Sequence, residues 1–299
     1  MIINLLKTMR PRQWTKNLFV YFAFIFTLNE RWRPFSPEMY AMIVQATAAF
    51  VLFCMISGII YFINDLVDID KDREHPRKRF RPLASGAITR TQAIVTIIVL
   101  CAITFPLSFW LNVWFGVVAS IYFVTMLTYS FILKNIVIVD VFVLAAGLLL
   151  RALAGAVAIQ VPASPWLYVC TVLLALFIGF SKRRHELVLL EDDATKHRLI
   201  LKEYTPELLD EMISVTTASF VMAYSLYTFS APNLPKNHEM MFTIPFALYI
   251  VFRLLYLVHV KNEGGSPEEM ILRDKPLFIA IMIWGITILG ILFVFGRNP

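Results

Sequence analysis

The chain has 299 residues, of which 59% are hydrophobic and only 16% are charged, and its mean hydropathy is +0.70. Soluble domains carry a charge on about a quarter of their residues, so this composition excludes a soluble globular protein and predicts a protein of the lipid bilayer. The net charge of +6 arises from basic residues clustered between apolar runs, which indicates membrane topology and not nucleic-acid binding. The three cysteines lie singly within apolar runs, so neither a disulfide nor a cysteine metal site is expected.

Apolar runs recur along the whole chain. A membrane span needs about 20 predominantly apolar residues, and on that criterion we expect an all-α polytopic membrane protein with about nine transmembrane helices in one domain, residues 1–299. Basic residues concentrate in alternate connections, which places the N-terminus and the long polar connections 64–91 and 182–210 on the cytoplasmic side. The expected spans are residues 15–30, 40–63, 92–111, 113–132, 136–159, 165–181, 211–231, 240–260 and 276–296.

The first long polar connection opens with a block of acids. If the helix of residues 40–63 continues inward, Asn64, Asp68 and Asp72 fall at i, i+4 and i+8 on one helical face. Carboxylates this close repel one another by about 1 kcal/mol per pair even in a water-like dielectric, so the arrangement favours a bound cation. Mg²⁺ prefers oxygen ligands and is usually held by one or two carboxylates plus substrate phosphates. The pattern predicts a magnesium site, and the alternative is a solvated loop that marks the cytoplasmic side.

Two groups of basic residues complete this charge pattern. The first follows the acids directly and is suited to bind phosphates that the metal also holds. The second follows the sixth span and is interpreted as a basic wall facing the acids. An ordinary helix salt bridge from Lys182 to Glu186, lipid anchoring or a topology signal are its alternatives. The first group comprises Arg77, Lys78, Arg79 and Arg81, and the second comprises Lys182, Arg183 and Arg184.

Few polar residues lie near or inside the other spans. Arg151 and Asp140 fall within the fifth span, where a charge almost always faces the bundle interior or a cavity. Each is therefore a site hypothesis, and a buried structural ion pair is an equal alternative. Tyr129 and Lys134 flank the inner end of the fourth span, and Tyr129 fits the interfacial aromatic belt equally well.

These motifs carry a resemblance to known enzymes. The ladder of Asn64, Asp68 and Asp72 after the second helix resembles the first signature of the UbiA superfamily of intramembrane prenyltransferases. Four runs are more narrowly similar to the decaprenyl-phosphate phosphoribosyltransferases. Most members of the superfamily carry a second acidic motif after the sixth helix, where this chain has its second basic group, which suits an anionic acceptor phosphate. The four runs are RPRQWTKN (10–17), DREHPRKRFRP (72–82), LRALAGA (150–156) and KRRHEL (182–187).

The resemblance implies a reaction at a bacterial plasma membrane, with the active site facing the cytoplasm. Phosphoribosyl diphosphate would donate 5-phosphoribose to a polyprenyl phosphate such as decaprenyl phosphate, releasing diphosphate, in the synthesis of cell-wall arabinan precursors. The alternatives are UbiA-type transfer of a polyprenyl diphosphate to an aromatic acceptor and, in another class, a non-enzymatic lipid or solute transporter. The expected partners are these two substrates and the bilayer, without nucleic acid, and a homo-oligomer is left open.

Residue roles follow from the charge pattern and the resemblance together. Mg²⁺ and the donor diphosphate are assigned to Asn64, Asp68 and Asp72, with Asp65 as a supporting ligand. No dedicated general base is needed, because the acceptor phosphate is already ionised near neutral pH and catalysis can rest on orientation and charge stabilisation. The residues expected to contact substrate are Lys16, Asn17, Lys78, Arg79, Arg81, Tyr129, Lys134, Arg151, Lys182, Arg183, Arg184 and Glu186.

Overall fold

The computed structural model describes residues 2–76, 78–162, 165–190, 199–231, 234–235, 237–265 and 267–295, and these residues form helices joined by short turns. Arg77 and residues 191–198 of the second polar connection lie outside the described residues. The short 3₁₀ helices are Pro11–Tyr21, Lys78–Phe80, Leu133–Asn135, Leu199–Glu203 and Glu239–Thr243. The α-helices are α1 (Ile2–Thr8), α2 (Phe22–Phe26), α3 (Pro37–Val67), α4 (Ile69–Glu74), α5 (Arg90–Leu111), α6 (Val113–Phe131), α7 (Val139–Ala158), α8 (Pro165–Leu190), α9 (Pro206–Ser230), α10 (Ile244–His259), α11 (Pro267–Arg273) and α12 (Lys275–Phe295).

The long helices are those of a multi-pass membrane protein. Within the described residues, seven helical segments are long and apolar enough to cross a bilayer: α3, α5, α6, α7, α9, α10 with its preceding 3₁₀ turn, and α12. The predicted sixth span, residues 165–181, lies within the 26 residues of α8. The all-α prediction is confirmed, whereas the count of nine spans is not.

The predicted first span, residues 15–30, is not one continuous helix. It divides between the 3₁₀ helix Pro11–Tyr21 and the five-residue α2. Eleven residues of 3₁₀ helix is long for this conformation, in which runs beyond about four residues are uncommon. Tertiary contacts account for it: Asn17 is fully buried among polar partners, and the carbonyl of Val20 lies against Gly155, where an added Cβ would come within 1.9 Å of its oxygen.

The chain forms two compact units. The first contains Met1–Phe24, Ala41–Phe131 and Leu150–Pro162, and the second contains Ile25–Tyr40, Ile132–Leu149 and Ala163–Pro299. In the first unit, a core that includes Phe62, Leu83 and Ile88 packs against the partly buried Leu5 and Met9 of the N-terminal segment. This core contains Phe62, just before the acid-rich connection (residues 64–91), and Leu83 and Ile88, near the end of that connection. It therefore fixes the connection close to both of its ends. The single-domain expectation stays a prediction.

The acid-rich connection has a well-defined end. Thr89 caps α5: its hydroxyl accepts a hydrogen bond from the Gln92 amide (3.2 Å), and the Gln92 side chain accepts one from the Thr89 amide (3.0 Å). This reciprocal capping box satisfies two amides that the first helical turn would leave without partners. The polar segment 68–89 is therefore held between α3 and a firmly capped α5.

Candidate active site

The acid-rich segment continues the helical path of α3. Asp68 interrupts the helix with φ −92° and ψ 9°, and α4 begins at the next residue. Backbone hydrogen bonds still run from the amide of Asp68 to the carbonyl of Asn64 (3.0 Å) and from the amide of Asp72 to the carbonyl of Asp68 (2.8 Å). The register therefore crosses the interruption, and the three residues stay about one turn apart along the chain.

Asn64 and Asp68 offer oxygen atoms that the fold does not use. Both side chains are half-buried, and neither forms a hydrogen bond or ion pair with any residue in the described ranges. Asp68 occupies the N-cap position of α4, yet its carboxylate does not cap that helix. A half-buried carboxylate that neither caps a helix nor pairs with a base is costly to retain, because it has lost part of its hydration without a partner in exchange. These oxygens are available to an added ligand.

Asp65 and Asp72 are buried and neutralised by arginines instead. Their side chains are 2% and 4% exposed, respectively. Arg81 Nη1 donates to Asp65 Oδ1 at 3.2 Å and to Asp72 Oδ2 at 2.6 Å, and Arg10 Nη2 donates to the same Asp65 oxygen. Two carboxylates and two guanidinium groups thus form one charge-balanced cluster. Buried carboxylates are tolerated in proteins when they are paired in this way.

The donor set fits Mg²⁺ held jointly with a substrate diphosphate. Among the described residues, no three His, Cys, Asp or Glu side chains come close enough together to form a metal-binding group of their own. The part of the chain that the structure describes therefore contains no all-protein carboxylate cage of the kind that binds calcium. Magnesium is usually bound by one or two carboxylates, with waters and substrate phosphates supplying the other ligands. The Asp68 carboxylate, the Asn64 amide oxygen and the Arg81-bound Asp72 match that smaller requirement.

The first basic group borders these acids. Lys78 and Arg79 lie on the exposed 3₁₀ turn Lys78–Phe80, and the guanidinium of Arg79 lies 4.9 Å from the centroid of the Phe80 ring. Arg81 follows and is 28% exposed while it holds the two buried carboxylates. All three cations lie within 13 residues of Asp68 and can meet a phosphate that approaches from solvent.

Asn17 and Arg151 meet in a buried polar network of the first unit. Asn17 Oδ1 accepts a hydrogen bond from Arg151 Nε at 2.7 Å, and Arg151 Nη2 donates to the Tyr122 hydroxyl at 2.6 Å. The Arg151 guanidinium also lies 4.7 Å from the centroid of the Tyr122 ring. Arg151 is 7% exposed, which agrees with a charge facing the interior. Sequence reasoning missed Tyr122, because one tyrosine inside an apolar helix carries no pattern of its own.

Lys16 and Tyr129 are the other substrate-contact candidates in the first unit. Lys16 is half-buried on the 3₁₀ helix Pro11–Tyr21, directly before Asn17. Tyr129 is half-buried near the end of α6. Their roles toward substrate stay predictions.

In the second unit, Arg183 is part of a buried ion-pair network. Its side chain is 1% exposed, with Nε bonded to Asp140 Oδ2 and Nη1 to Glu186 Oε2, both at 2.7 Å. Asp140 is fully buried and also accepts a hydrogen bond from the Tyr204 hydroxyl at 2.9 Å. For Asp140, the structure thus shows the buried ion pair that was the alternative to a site role. A phosphate contact by Arg183 stays a prediction, and it would require these bonds to open.

The remaining predicted residues of the second unit are less buried. Arg184 donates from Nε and Nη2 to the two carboxylate oxygens of Asp210. Lys182 is half-buried on α8, and Lys134 is half-buried in the 3₁₀ turn Leu133–Asn135. Their contacts with substrate stay predictions.

Comparison with known proteins agrees with this architecture. The model of the UbiA prenyltransferase family matches residues 18–281. The chain is 32% identical to a decaprenyl-phosphate phosphoribosyltransferase of Mycolicibacterium smegmatis over 95% of this chain and 91% of that protein. It is 31% identical to the protein of that name from Mycobacterium tuberculosis, over 99% and 96% of the two chains.

A solved structure gives the same result for the fold. The structure of a UbiA homolog from Archaeoglobus fulgidus bound to DMAPP and Mg²⁺ superimposes with a TM-score of 0.71 at 18% identity, covering 97% of this chain and 99% of that one. At this identity the similarity establishes the fold alone, while the family match rests on the sequence. The chain belongs to the UbiA prenyltransferase family.

Proposed function

We propose that this protein transfers 5-phosphoribose from phosphoribosyl diphosphate to a polyprenyl phosphate and releases diphosphate, in a Mg²⁺-dependent reaction. Relatives about one-third identical over nearly the whole chain bear the name decaprenyl-phosphate phosphoribosyltransferase, which makes decaprenyl phosphate the acceptor to test first. We also propose that the product serves as a precursor of cell-wall arabinan. The bond between the ribose C1 and the diphosphate oxygen breaks, and a bond from C1 to an acceptor phosphate oxygen forms.

The observation that carries the proposal is a difference among the four oxygen-bearing side chains: two are paired with arginines, and two have no partner among the described residues. Asp65 and Asp72 are neutralised by arginines, whereas Asn64 and Asp68 beside them have no partner among the described residues. A purely structural charge cluster would leave no half-buried carboxylate without a counter-ion. A site for a metal-bound diphosphate needs this combination. The side-chain oxygens of Asn64 and Asp68 would coordinate the metal, and a guanidinium would donate hydrogen bonds to phosphate oxygens.

We assign the metal to Asn64 and Asp68, with Asp72, about one turn further along the chain, as an additional carboxylate. Mg²⁺ bound there would neutralise diphosphate charge and favour its departure as positive charge develops at the ribose C1. Lys78 and Arg79, which are exposed, bind the phosphates of the incoming donor. Arg81, partly exposed and already next to Asp72, provides a guanidinium for the leaving diphosphate. Fixed cations aimed at developing negative charge are the main source of rate enhancement in such a site.

The membrane orientation follows from charge. Phosphoribosyl diphosphate is water-soluble, and the candidate site lies at the end of α3 that carries the basic residues of segment 73–90. By the positive-inside rule this end faces the cytoplasm, so we propose a bacterial plasma-membrane enzyme that receives its donor from the cytoplasm and its acceptor from the bilayer.

The experiment is incubation of purified protein with phosphoribosyl diphosphate, decaprenyl phosphate and Mg²⁺, followed by mass analysis of the lipid fraction. We expect a lipid heavier by one phosphoribosyl group, and we expect chelation of Mg²⁺ to abolish its formation. Asp68→Asn keeps the size of the side chain and removes its charge, and should lower kcat/KM by about 100-fold or more. Asp70→Asn is the matched control, because Asp70 is 75% exposed and pairs only with surface arginines among the described residues.

Two outcomes would overturn the proposal. The first is transfer of a prenyl group from a polyprenyl diphosphate to an aromatic acceptor with no use of phosphoribosyl diphosphate. The second is an Asp68→Asn variant with the activity of the unmodified protein, which would remove the metal assignment.

A further inference from the structure

We propose that Arg10 is a positioning residue of the diphosphate site: through the shared carboxylate of Asp65, it holds the guanidinium of Arg81 in place to bind diphosphate. This inference rests on the proposed function for the identity of the diphosphate donor. It also gives Asp65 a different role from metal ligand, that of a fixed anchor between two arginines.

The N-terminal segment is docked on one face of α3. Gly58 has no side chain, and Met9 occupies that space: a Cβ at Gly58 would lie 2.6 Å from Met9 Cε. The carbonyl of Met9 also accepts a hydrogen bond from Trp14 Nε1 at 3.2 Å. The segment is therefore fixed immediately before Arg10, on the same helix that carries the acids.

Arg10 extends this docking toward the site. Its guanidinium lies 4.6 Å from the centroid of the Tyr61 ring and donates from Nη2 to Asp65 Oδ1. Tyr61 and Asp65 are four residues apart, so they share one face of α3 and bind the guanidinium from neighbouring turns. The backbone of Arg10 is left-handed, with φ 53° and ψ 66°, a conformation that costs free energy for a non-glycine residue and is retained where its surroundings require it.

The same oxygen of Asp65 receives both arginines. Arg81 Nη1 is 3.2 Å from it and 2.6 Å from Asp72 Oδ2. If Asp72 binds a metal ion, Asp65 remains as the counter-ion that keeps Arg81 at the site. A single buried carboxylate can keep Arg81 at the site only if its own position is fixed. Arg10 is the second ion-pair partner of Asp65 and fixes it. Arg10 thus acts on diphosphate through Asp65 and Arg81 without contacting the ligand itself.

The test measures binding of inorganic diphosphate to the purified full-length protein by titration calorimetry, at several Mg²⁺ concentrations. Arg10→Met should weaken diphosphate binding about tenfold, in keeping with the loss of one charge-assisted hydrogen bond that orders the site. The Mg²⁺ concentration that half-saturates the complex should change by less than about twofold, because Arg10 does not contact the side-chain oxygens of Asn64 and Asp68 that are assigned to the metal. Arg10→Lys should recover most of the affinity, because it retains the positive charge. Arg12→Met, which removes an exposed guanidinium two residues away, is the control and should bind as the unmodified protein does.

Asp65→Asn separates the two roles of that residue. We expect it to weaken diphosphate binding as Arg10→Met does and to leave the Mg²⁺ requirement unchanged, whereas Asp68→Asn should raise that requirement. Equal shifts in the Mg²⁺ requirement for Asp65→Asn and Asp68→Asn would make Asp65 a metal ligand and overturn the proposal. Unchanged diphosphate binding in Arg10→Met would overturn it too, as would failure of both Arg10→Met and Arg10→Lys to fold.

The two proposals can fail separately. A protein that binds magnesium diphosphate but transfers no phosphoribose would refute the proposed function, and the diphosphate titrations would still decide the role of Arg10.

Discussion

Replacing Arg183 by methionine tests whether this residue of the second basic group stabilises the fold of the second unit or binds phosphate. The guanidinium is 1% exposed and bonds to Asp140 and Glu186 at 2.7 Å each. Asp140 is fully buried, and without Arg183 its only remaining side-chain partner among the described residues is the Tyr204 hydroxyl. The substitution therefore leaves a buried carboxylate without a counter-ion.

The size of the effect follows from this burial. Removing one partner of a buried ion pair costs about 3–5 kcal/mol, because the other charge stays buried without compensation. The Glu186 contact adds little, because that side chain is 25% exposed and solvent screens it. We expect Arg183→Met to lower the free energy of unfolding by about 3–5 kcal/mol. The double variant Asp140→Asn/Arg183→Met removes both charges and should recover about 1–3 kcal/mol of that loss.

Unfolding by sodium dodecyl sulfate, followed by far-ultraviolet circular dichroism, gives these free energies for the four proteins of a double-mutant cycle: the parent, Arg183→Met, Asp140→Asn and the double variant. The control is Arg90→Met, which breaks an ion pair to Asp70 in which the two side chains are 60% and 75% exposed and should cost at most about 1 kcal/mol. An Arg183→Met protein as stable as the parent, with greatly weakened phosphate binding, would refute the structural role and favour the phosphate contact expected from the sequence.

Two further perturbations test packing and protonation. Burial is the main reason that the pKa of Tyr204 is raised to about 12 from its ordinary value of 10. The folded state therefore holds the hydroxyl proton of Tyr204 more tightly than the unfolded state does. The contribution of the protonated Tyr204 hydroxyl to the free energy of unfolding is complete below pH 10 and is lost as the pH rises toward 12. Thermal unfolding in detergent should show this loss and Tyr204→Phe should remove it; an unchanged alkaline profile in the variant would contradict the argument. Gly155→Ala places a Cβ 1.9 Å from the Val20 carbonyl oxygen and should lower the unfolding temperature by several degrees. Gly285→Ala is the control and should not lower the unfolding temperature, because a Cβ there meets nothing within 4 Å. Equal effects at the two sites would show that the close contact at Gly155 does not determine stability.

Several features of the candidate site were predictable from sequence, because they depend on neighbours along the chain. The spacing of Asn64, Asp68 and Asp72 sets their register, and the backbone bonds between them preserve it even where α3 gives way to α4. The capping of α5 by Thr89 is equally local. What spacing does not reveal is which of the acids are neutralised by the protein itself, since Arg10 is 55 residues from Asp65.

The first predicted span shows where local pattern fails. Residues 15–30 are apolar enough to suggest a helix, but Asn17 is bound to Arg151, which lies 134 residues away, and Val20 lies against Gly155. Those contacts favour a 3₁₀ helix followed by a short α2 over one continuous span. A hydropathy pattern records transfer to lipid and contains no information on partners so distant in sequence.

The sequence by itself determined the membrane class, the positions of most long helices and the register of the acids, because run length and helical period are properties of consecutive residues. The tertiary structure alone decided which charges are already balanced: Asp65 and Asp72 by Arg10 and Arg81 in the first unit, and Asp140 by Arg183 in the second. Pairing a buried charge depends on which distant side chains the fold brings within about 3 Å, and the free energy of that choice belongs to the packed chain as a whole.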